Sequence, residues 1–304
     1  MKKSKLLSIM ALSVLLMPAF TSCGNDDGPE NAGNAVLDID GLRLTSIAGY
    51  FIEYDEKGRV VELEGNYEEL EIDYSKSTLT IDDDEVVKIK FNGKGYIAEL
   101  SGSWNDKYDN YQYKGSGSIT YSYNGEGFLT SIKSKSKETE KDLNTGETTT
   151  WEGNSDATLK WNKGNLVKVS FSGVEIEDGE KDRWTEDYTY SYSSKDNLYR
   201  QFPYGMAEDF IDSSAVLASV GLFGKGPSEL PSSCVSVYDD EDTYTENYSF
   251  GLNDDGSIYW EQCNYTTYNY CYGYINTRSM FDTNPVKKIK VRDLLLVRKS
   301  YSHK

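Results

Sequence analysis

The side chains that most often do chemistry are scarce in this sequence, and their positions limit what it could catalyse. His303 is the only histidine, and it stands next to the last residue. A histidine-based triad or a multi-histidine metal site therefore has nothing to be built from. Downstream of Cys23 the thiols are Cys234, Cys263 and Cys271. Three thiols allow one bridge in three pairings and leave one over. "CNYTTYNYC" would close a hairpin if Cys263 and Cys271 stood opposite each other. The alternative is three buried small apolar residues.

Carboxylates are abundant, at 50 Asp and Glu against 32 Lys and Arg. Glycosidase chemistry needs only two of them, so abundance singles out no pair. The runs "DDDE" (82–85), "DDED" (239–242) and "NDDG" (253–256) invite a calcium reading. With Gly256 as the sixth residue of a calcium loop, positions one and twelve would be Gly251 and Gln262, neither a carboxylate. These runs read as solvated turns. Nucleophile-elbow, P-loop and dinucleotide fingerprints are absent from the sequence. The expectation is a non-enzymatic protein with no cofactor. The formal charge of −18 makes nucleic acid a poor partner.

Tyrosine is the remaining chemical signal, with 25 copies. Ladders such as "YTYSY" place Tyr188, Tyr190 and Tyr192 on one strand face. "YNYCYGY" does the same for Tyr270, Tyr272 and Tyr274. Such faces could stack sugars or could line a core, and these six are the candidate ligand-binding residues.

The elements that would hold these ladders are strands. Alternation of period two recurs in "LEIDY", "VKIKF", "VKVSF" and "YTYSY", with one apolar and one polar face each. "YDEKGRVVEL" (54–63) recurs as "FNGKGYIAEL" (91–100) and "YNGEGFLTSI" (123–132). Weaker copies are "WNKGNLVKV" (161–169), "YSSKDNLY" (192–199) and "LNDDGSIYW" (252–260). Each copy is a large apolar residue, an Asn/Asp/Gly turn and an alternating strand, with the glycine in a left-handed conformation.

Gly58, Gly95, Gly127, Gly164 and Asp196 are 37, 32, 37 and 32 residues apart. Each interval fits two strands of about a dozen residues, roughly 40 Å long. The opposite loops are then 75–77, 105–112, 142–147 and 177–182. This predicts an all-β fold, an antiparallel up-and-down meander of long hairpins curling into a barrel. "YGMAEDFIDSSAVLASVGLFG" (204–224) breaks the pattern as a short helical insert. It would either plug a barrel end or cross the surface. "VKKIKVRDLLLV" reads as a basic last strand pairing with acidic neighbours. The final "SYSHK" reads as a tail.

The N-terminus has Lys2, Lys3 and Lys5, then "LLSIMALSVLLMPAF", then "FTSC". This resembles a bacterial lipoprotein signal with its lipobox. The resemblance implies a signal peptide over 1–22 and acylation of Cys23. Each buried CH₂ of the acyl chains would contribute roughly 0.8 kcal/mol of membrane affinity. Cleavage would leave the chain three charges more negative. "CGNDDGPENAGN" reads as a flexible acidic tether over 23–40. An acidic run there resembles the surface-export signal of Bacteroidetes-type lipoproteins, and a merely polar linker is the alternative. Residues 41–300 form a single barrel-like domain.

The lipobox, the "YDEKGRVVEL" hairpins and "GLFGKGPSELPSS" together resemble a Bacteroidetes lipoprotein family catalogued as a domain of unknown function with a porin-like fold. The resemblance covers about 41–298. It implies a barrel, an outer-membrane lipoprotein exposed on the cell surface, and no catalytic residues. The polar strand faces point to a barrel outside the bilayer, because a lipid-facing barrel needs an outward apolar band. The expected partners are the bilayer, through Cys23, and a glycan or envelope protein. The alternatives are a carboxylate-dependent glycan hydrolase and a carrier of an apolar ligand inside the barrel.

Overall fold

The computed structural model describes residues 42–65, 69–82, 85–239, 242–273 and 290–295. Cys23, Tyr274, the signal and tether segments and "SYSHK" lie outside them.

Sixteen antiparallel strands close into one barrel, each paired with its neighbours in sequence. Strands β1 to β6 are Arg43–Ile47, Tyr50–Tyr54, Val60–Glu64, Glu69–Asp73, Thr78–Ile81 and Glu85–Phe91. They are short. Strands β7 to β12 are Ile97–Tyr108, Tyr111–Tyr123, Leu129–Asp142, Thr148–Asn162, Asn165–Glu177 and Glu180–Asp196. They run to 12–17 residues. Strands β13 to β16 are Glu229–Tyr238, Asp242–Leu252, Ile258–Cys263 and Thr266–Gly273. The seam joins β1 to β16, with Leu44 opposite Tyr272 and Ile47 opposite Tyr270.

The repeated turn has one geometry. In the turns beginning at Asp55, Asn92, Asn124 and Asn253, the first N–H donates to the carbonyl four residues on. The glycine N–H of each returns a bond to the first carbonyl. Gly58, Gly95, Gly127 and Gly256 all have φ between 78° and 97° there, a region that a Cβ disfavours. The first side chain caps the turn, as when Asn124 Oδ1 accepts from Glu126 and Phe128 N–H at 3.0 Å. The strand register slips by one residue just before each of these turns. Aromatic tips reach the carbonyls nearby. Tyr54 donates to Leu44 O at 2.7 Å, Tyr123 to Ile97 O at 2.6 Å and Tyr192 to Leu166 O at 2.7 Å.

Two expectations need correction. The interval from Gly58 to Gly95 holds four short strands, β3 to β6, in place of two long ones. The 74–77 turn therefore lies at the same barrel end as the glycine turns. The expected basic last strand is also absent where it is described. Val291–Leu295 is a helix, α3. Val291, Leu294 and Leu295 are all buried, and that i, i+3, i+4 spacing is helical, not alternating. Residues 286–289 and 296–297 of that stretch are outside the described residues.

The insert forms helix α1, Tyr204–Ile211, a 3₁₀ turn over Asp212–Ser214 and helix α2, Ala215–Ser219. Met206, Phe210, Val216, Leu217, Leu222 and Phe223 join the apolar core of the barrel wall. The insert is a plug, and the surface-crossover alternative falls. "GLFGKGPS" fastens it to the turn end of the barrel. Leu222 O accepts from Ile97 N–H at 2.8 Å, Lys225 N–H donates to Gly127 O at 3.0 Å, and Ser228 N–H donates to Gly164 O at 2.9 Å.

The wall is polar outside and apolar inside. On β4, Leu70 and Ile72 are buried while Glu69 and Glu71 are exposed. On β9, Ile132, Ser136 and Glu138 are buried while Lys133, Lys135 and Lys137 are exposed. A barrel facing lipid would reverse this order.

Candidate functional site

The tyrosine ladders point into the barrel, beneath α1. Tyr190 is 5% exposed and donates to Asp209 Oδ2 at 3.0 Å. Tyr248 also donates to Asp209. Tyr270 is 1% exposed; its hydroxyl donates to Glu261 and accepts from Tyr204 N–H at 3.0 Å. Tyr268 donates to Glu208. Tyr188 donates to the buried Glu186 at 3.2 Å and packs edge-on against Phe171. Tyr192 holds the Leu166 carbonyl, and Tyr272 accepts from Gln201 and stacks near Tyr199. Five of the six sequence-predicted tyrosines thus face the interior, from β12 and β16 with β13, β14 and β15 between them, and meet the protein's own groups there; Tyr274 lies outside the described residues. They are not a surface platform for sugars.

The carboxyls among them answer to burial. Glu261 is fully buried, and that burial pushes its carboxyl up to about 7. Donation from Tyr270 and from Gly205 N–H, at 3.1 Å, pulls it the other way. Asp209 is raised well above the usual carboxylate range, first by burial and then by its hydrogen bond with Glu246. Carboxyls whose protonated form is favoured by burial thus join phenols in a hydrogen-bonded polar core. Glu261 also receives the first N–H groups of α1, which otherwise lack intrahelical partners.

Three thiols are free: Cys234, Cys263 and Cys271. The register places Cys263 opposite Thr266 and Cys271 opposite Ser46, so the Cys263–Cys271 hairpin bridge does not form. Burial raises the Cys234 and Cys263 thiols far above neutrality, which leaves them protonated and poor nucleophiles. The acidic runs cap turns where they are described. Asp82 Oδ1 accepts from Glu69 N–H at 3.0 Å, Asp239 Oδ1 from Thr185 N–H at 2.9 Å, and Asp255 Oδ1 from Ser257 N–H at 2.9 Å.

Helix α3 lies inside the wall of long strands. Its backbone passes where Gly117 leaves no side chain: a Cβ there would stand 2.6 Å from Leu295 O. Arg292 forms a two-pronged pair with Glu138, whose side chain is fully buried. The Nη2–Oε1 contact is 2.8 Å. Trp104 Nε1 donates to the same carboxylate at 2.8 Å, and the Arg292 guanidinium sits 4.1 Å from the Tyr113 ring centre. Val291 N–H donates to Glu85 at 2.6 Å. A carrier would need an open, dry interior, whereas buried residues of all three helices pack in one apolar cluster with the wall residues.

One accessible feature among the described residues is outside. A shallow trough of about 370 Å³ runs over β8, β9 and β10, lined by Ser116, Ser118, Lys135, Lys137, Glu152 and Asn154. The sequence reading missed it. The signal was present in "KSKSKETEK", where Lys133, Lys135, Lys137 and Lys141 recur at even spacing.

Fold and surface together define a class: a closed all-β barrel with a hydrophilic outer wall and an interior plugged by its own helices. Comparisons with known proteins add little to that. No protein-family model matches the chain. No curated protein matches it. Among solved structures, a porin-like protein from Bacteroides uniformis ATCC 8492, determined at 2.32 Å, is similar over 79% of this chain and 94% of its own. The identity is 17% and the TM-score 0.46. The barrel assignment rests on this chain's own strand ladder.

Proposed function

We propose that the chain is a lipoprotein of the Bacteroidetes barrel type, held at the outer surface of the outer membrane by acylated Cys23. Its barrel is a non-catalytic domain that binds a glycan or an envelope partner. The observation that carries this reading is the polarity of the wall. Charged and hydroxyl side chains face outward along the long strands, and the interior is occupied. Such a barrel has its binding area on the outer wall and rim, in water. The lipobox supports the anchor, and the acidic tether supports export to the surface. The full burial of Glu261 beneath α1, and the engagement of Asp209 with Tyr190 and Tyr248, favour binding over glycan hydrolysis.

Two measurements test it. Labelled palmitate should enter the wild-type protein and not Cys23→Ala, and protease added to whole cells should remove the anchored form. A glycan array, run beside pull-downs from envelope extracts with the full-length protein in detergent, should then return a ligand. Failure of the palmitate label removes the anchor. A blank array together with blank pull-downs removes the binding role.

A further inference from the structure

We infer that the outer face of β7, β8 and β9 is a binding track for an extended anionic polysaccharide, one bearing carboxylate or sulfate groups. This rests on the reading just proposed and specifies its ligand.

The first observation is charge segregation. The chain carries 50 acidic residues, yet this face is basic. Direct cross-strand pairing fixes which residues share it. Lys107 stands opposite Gln112, Asn105 opposite Lys114, Ser103 opposite Ser116 and Ser101 opposite Ser118. Across the next ladder, Gln112 stands opposite Lys141, Ser116 opposite Lys137, Ser118 opposite Lys135 and Thr120 opposite Lys133. From the Ser101–Ser118–Lys135 row upward, these three strands present five lysines outward and no carboxylate; one row lower, Lys133 is level with Glu99. Lys133 is paired, with Asp156 of β10 at 3.3 Å. Lys107, Lys114, Lys135, Lys137 and Lys141 form no ion pair among the described residues. Such a concentration of unneutralised like charge costs folding energy, and an anionic ligand would relieve it.

The second observation is shape. Lysines two residues apart on one strand are roughly 6.7 Å apart. From Lys133 to Lys141 the row spans about 27 Å. It is a line, and it borders a trough. A chain with regularly spaced anions matches a line, whereas a bilayer presents a plane.

The third observation is what lies between the cations. Ser116, Ser118, Thr120, Thr139, Asn105 and Gln112 alternate with the lysines, and each offers both a donor and an acceptor. Sugar hydroxyls need both. A lipid surface would instead favour apolar side chains among the bases. A single-stranded nucleic acid is held by a basic groove together with aromatic side chains that stack its bases, and the outward residues of this face include no aromatic.

The test uses the full-length protein in a non-ionic detergent. The probes are polygalacturonate, dextran sulfate, neutral dextran, phosphatidylglycerol vesicles and single-stranded DNA. The variant K133Q/K135Q/K137Q/K141Q changes only exposed side chains. K163Q/K181Q/K195Q/K225Q alters the charge equally at exposed positions elsewhere. Circular dichroism and melting curves check that both fold. The expected result is salt-sensitive binding of at least one anionic polysaccharide and little of neutral dextran. The track variant should lose at least tenfold in affinity and the control variant less than twofold. Three results would each overturn the inference: no binding of either polyanion, equal losses in the two variants, or tighter binding of vesicles or DNA than of the polysaccharides. A track variant that still captures a neutral glycan or an envelope protein sinks the track and leaves the proposed function standing. A wild-type protein that captures nothing in the array and pull-downs sinks both.

Discussion

Glu261 should make the barrel less stable as pH rises through neutrality. Its carboxyl is fully buried beneath the first turn of α1 and is raised from 4.5 to about 7. The sign follows from proton counting. Between those two values the folded chain holds a proton that the unfolded chain has released, so folding is favoured at low pH. The contribution is fully present below about 4.5 and is lost as pH rises through 7. At 1.36 kcal/mol per unit, the total is about 3 kcal/mol, most of it lost between pH 5 and 7. Asp209 is shifted in the same direction and adds to the slope. Glu261→Gln mimics the protonated acid: its carbonyl can accept from Gly205 N–H and its amide can donate to the Tyr270 oxygen. Urea unfolding followed by tryptophan fluorescence at pH 5, 6, 7 and 8 gives the comparison. Wild-type stability should fall with pH, and the variant should fall by about 2 kcal/mol less over that range. Parallel profiles for the two proteins would refute the reasoning, because the titrating group would then lie elsewhere.

Other substitutions probe the plugs. Gly224 has φ +89°, and a Cβ there would stand 2.4 Å from Gly127 O. Gly224→Ala should cost at least about 1–2 kcal/mol for the left-handed backbone alone, read as a lowered Tm, while Gly125→Ala, in open space, should be nearly silent. Arg292→Ala strips the buried Glu138 of its guanidinium partner and keeps the Trp104 indole among its donors. It should cost about 3 kcal/mol in urea unfolding, and Arg292→Lys should recover only part because it lacks the guanidinium fork. Leu217→Ala, at a site 1% exposed, should cost roughly 2–5 kcal/mol in the same assay.

The barrel was legible because its two periodicities are written locally. Alternation in "LEIDY" and "YTYSY" needs no partner to be read, and Gly58, Gly95 and Gly127 mark turns by backbone chemistry alone. The first interval misled because spacing counts residues and not strands. Two strands of a dozen residues occupy the same length as the four short ones from β3 to β6. The C-terminal helix was missed for a related reason. "VKKIKV" alternates and "VRDLL" does not, and a single reading was laid across both. The interior chemistry was illegible on other grounds. Asp209 meets Tyr248 across 39 positions and Glu138 meets Arg292 across 154, and closure of the barrel alone brings them together. Burial, which sets the protonation of Asp209 and Glu261, has no signature in one sequence.

The lysine row shows how the same pattern changes meaning once the barrel closes. In "KSKSKETEK" the alternation says only that lysines share a face. The register of β9 against β8 and β10 says which face, since Ile132 and Glu138 take the inside. Outward placement removes one explanation for the row, because the buried carboxylates cannot neutralise it. Its nearest outward acids, Glu152 and Asp156, stand opposite Lys137 and Lys133 only. Lys135 faces Asn154, and Lys141 faces Thr148. A row meant to stabilise the sheet would have acids opposite each base, as Lys90 has in Glu99 at 2.7 Å. The chain supplies such pairs to Lys90 and Lys133, and it places no acid opposite Lys135 or Lys141. That contrast is why the proposed track lies on the outside of β7, β8 and β9, while the tyrosine interior serves to hold the barrel shut.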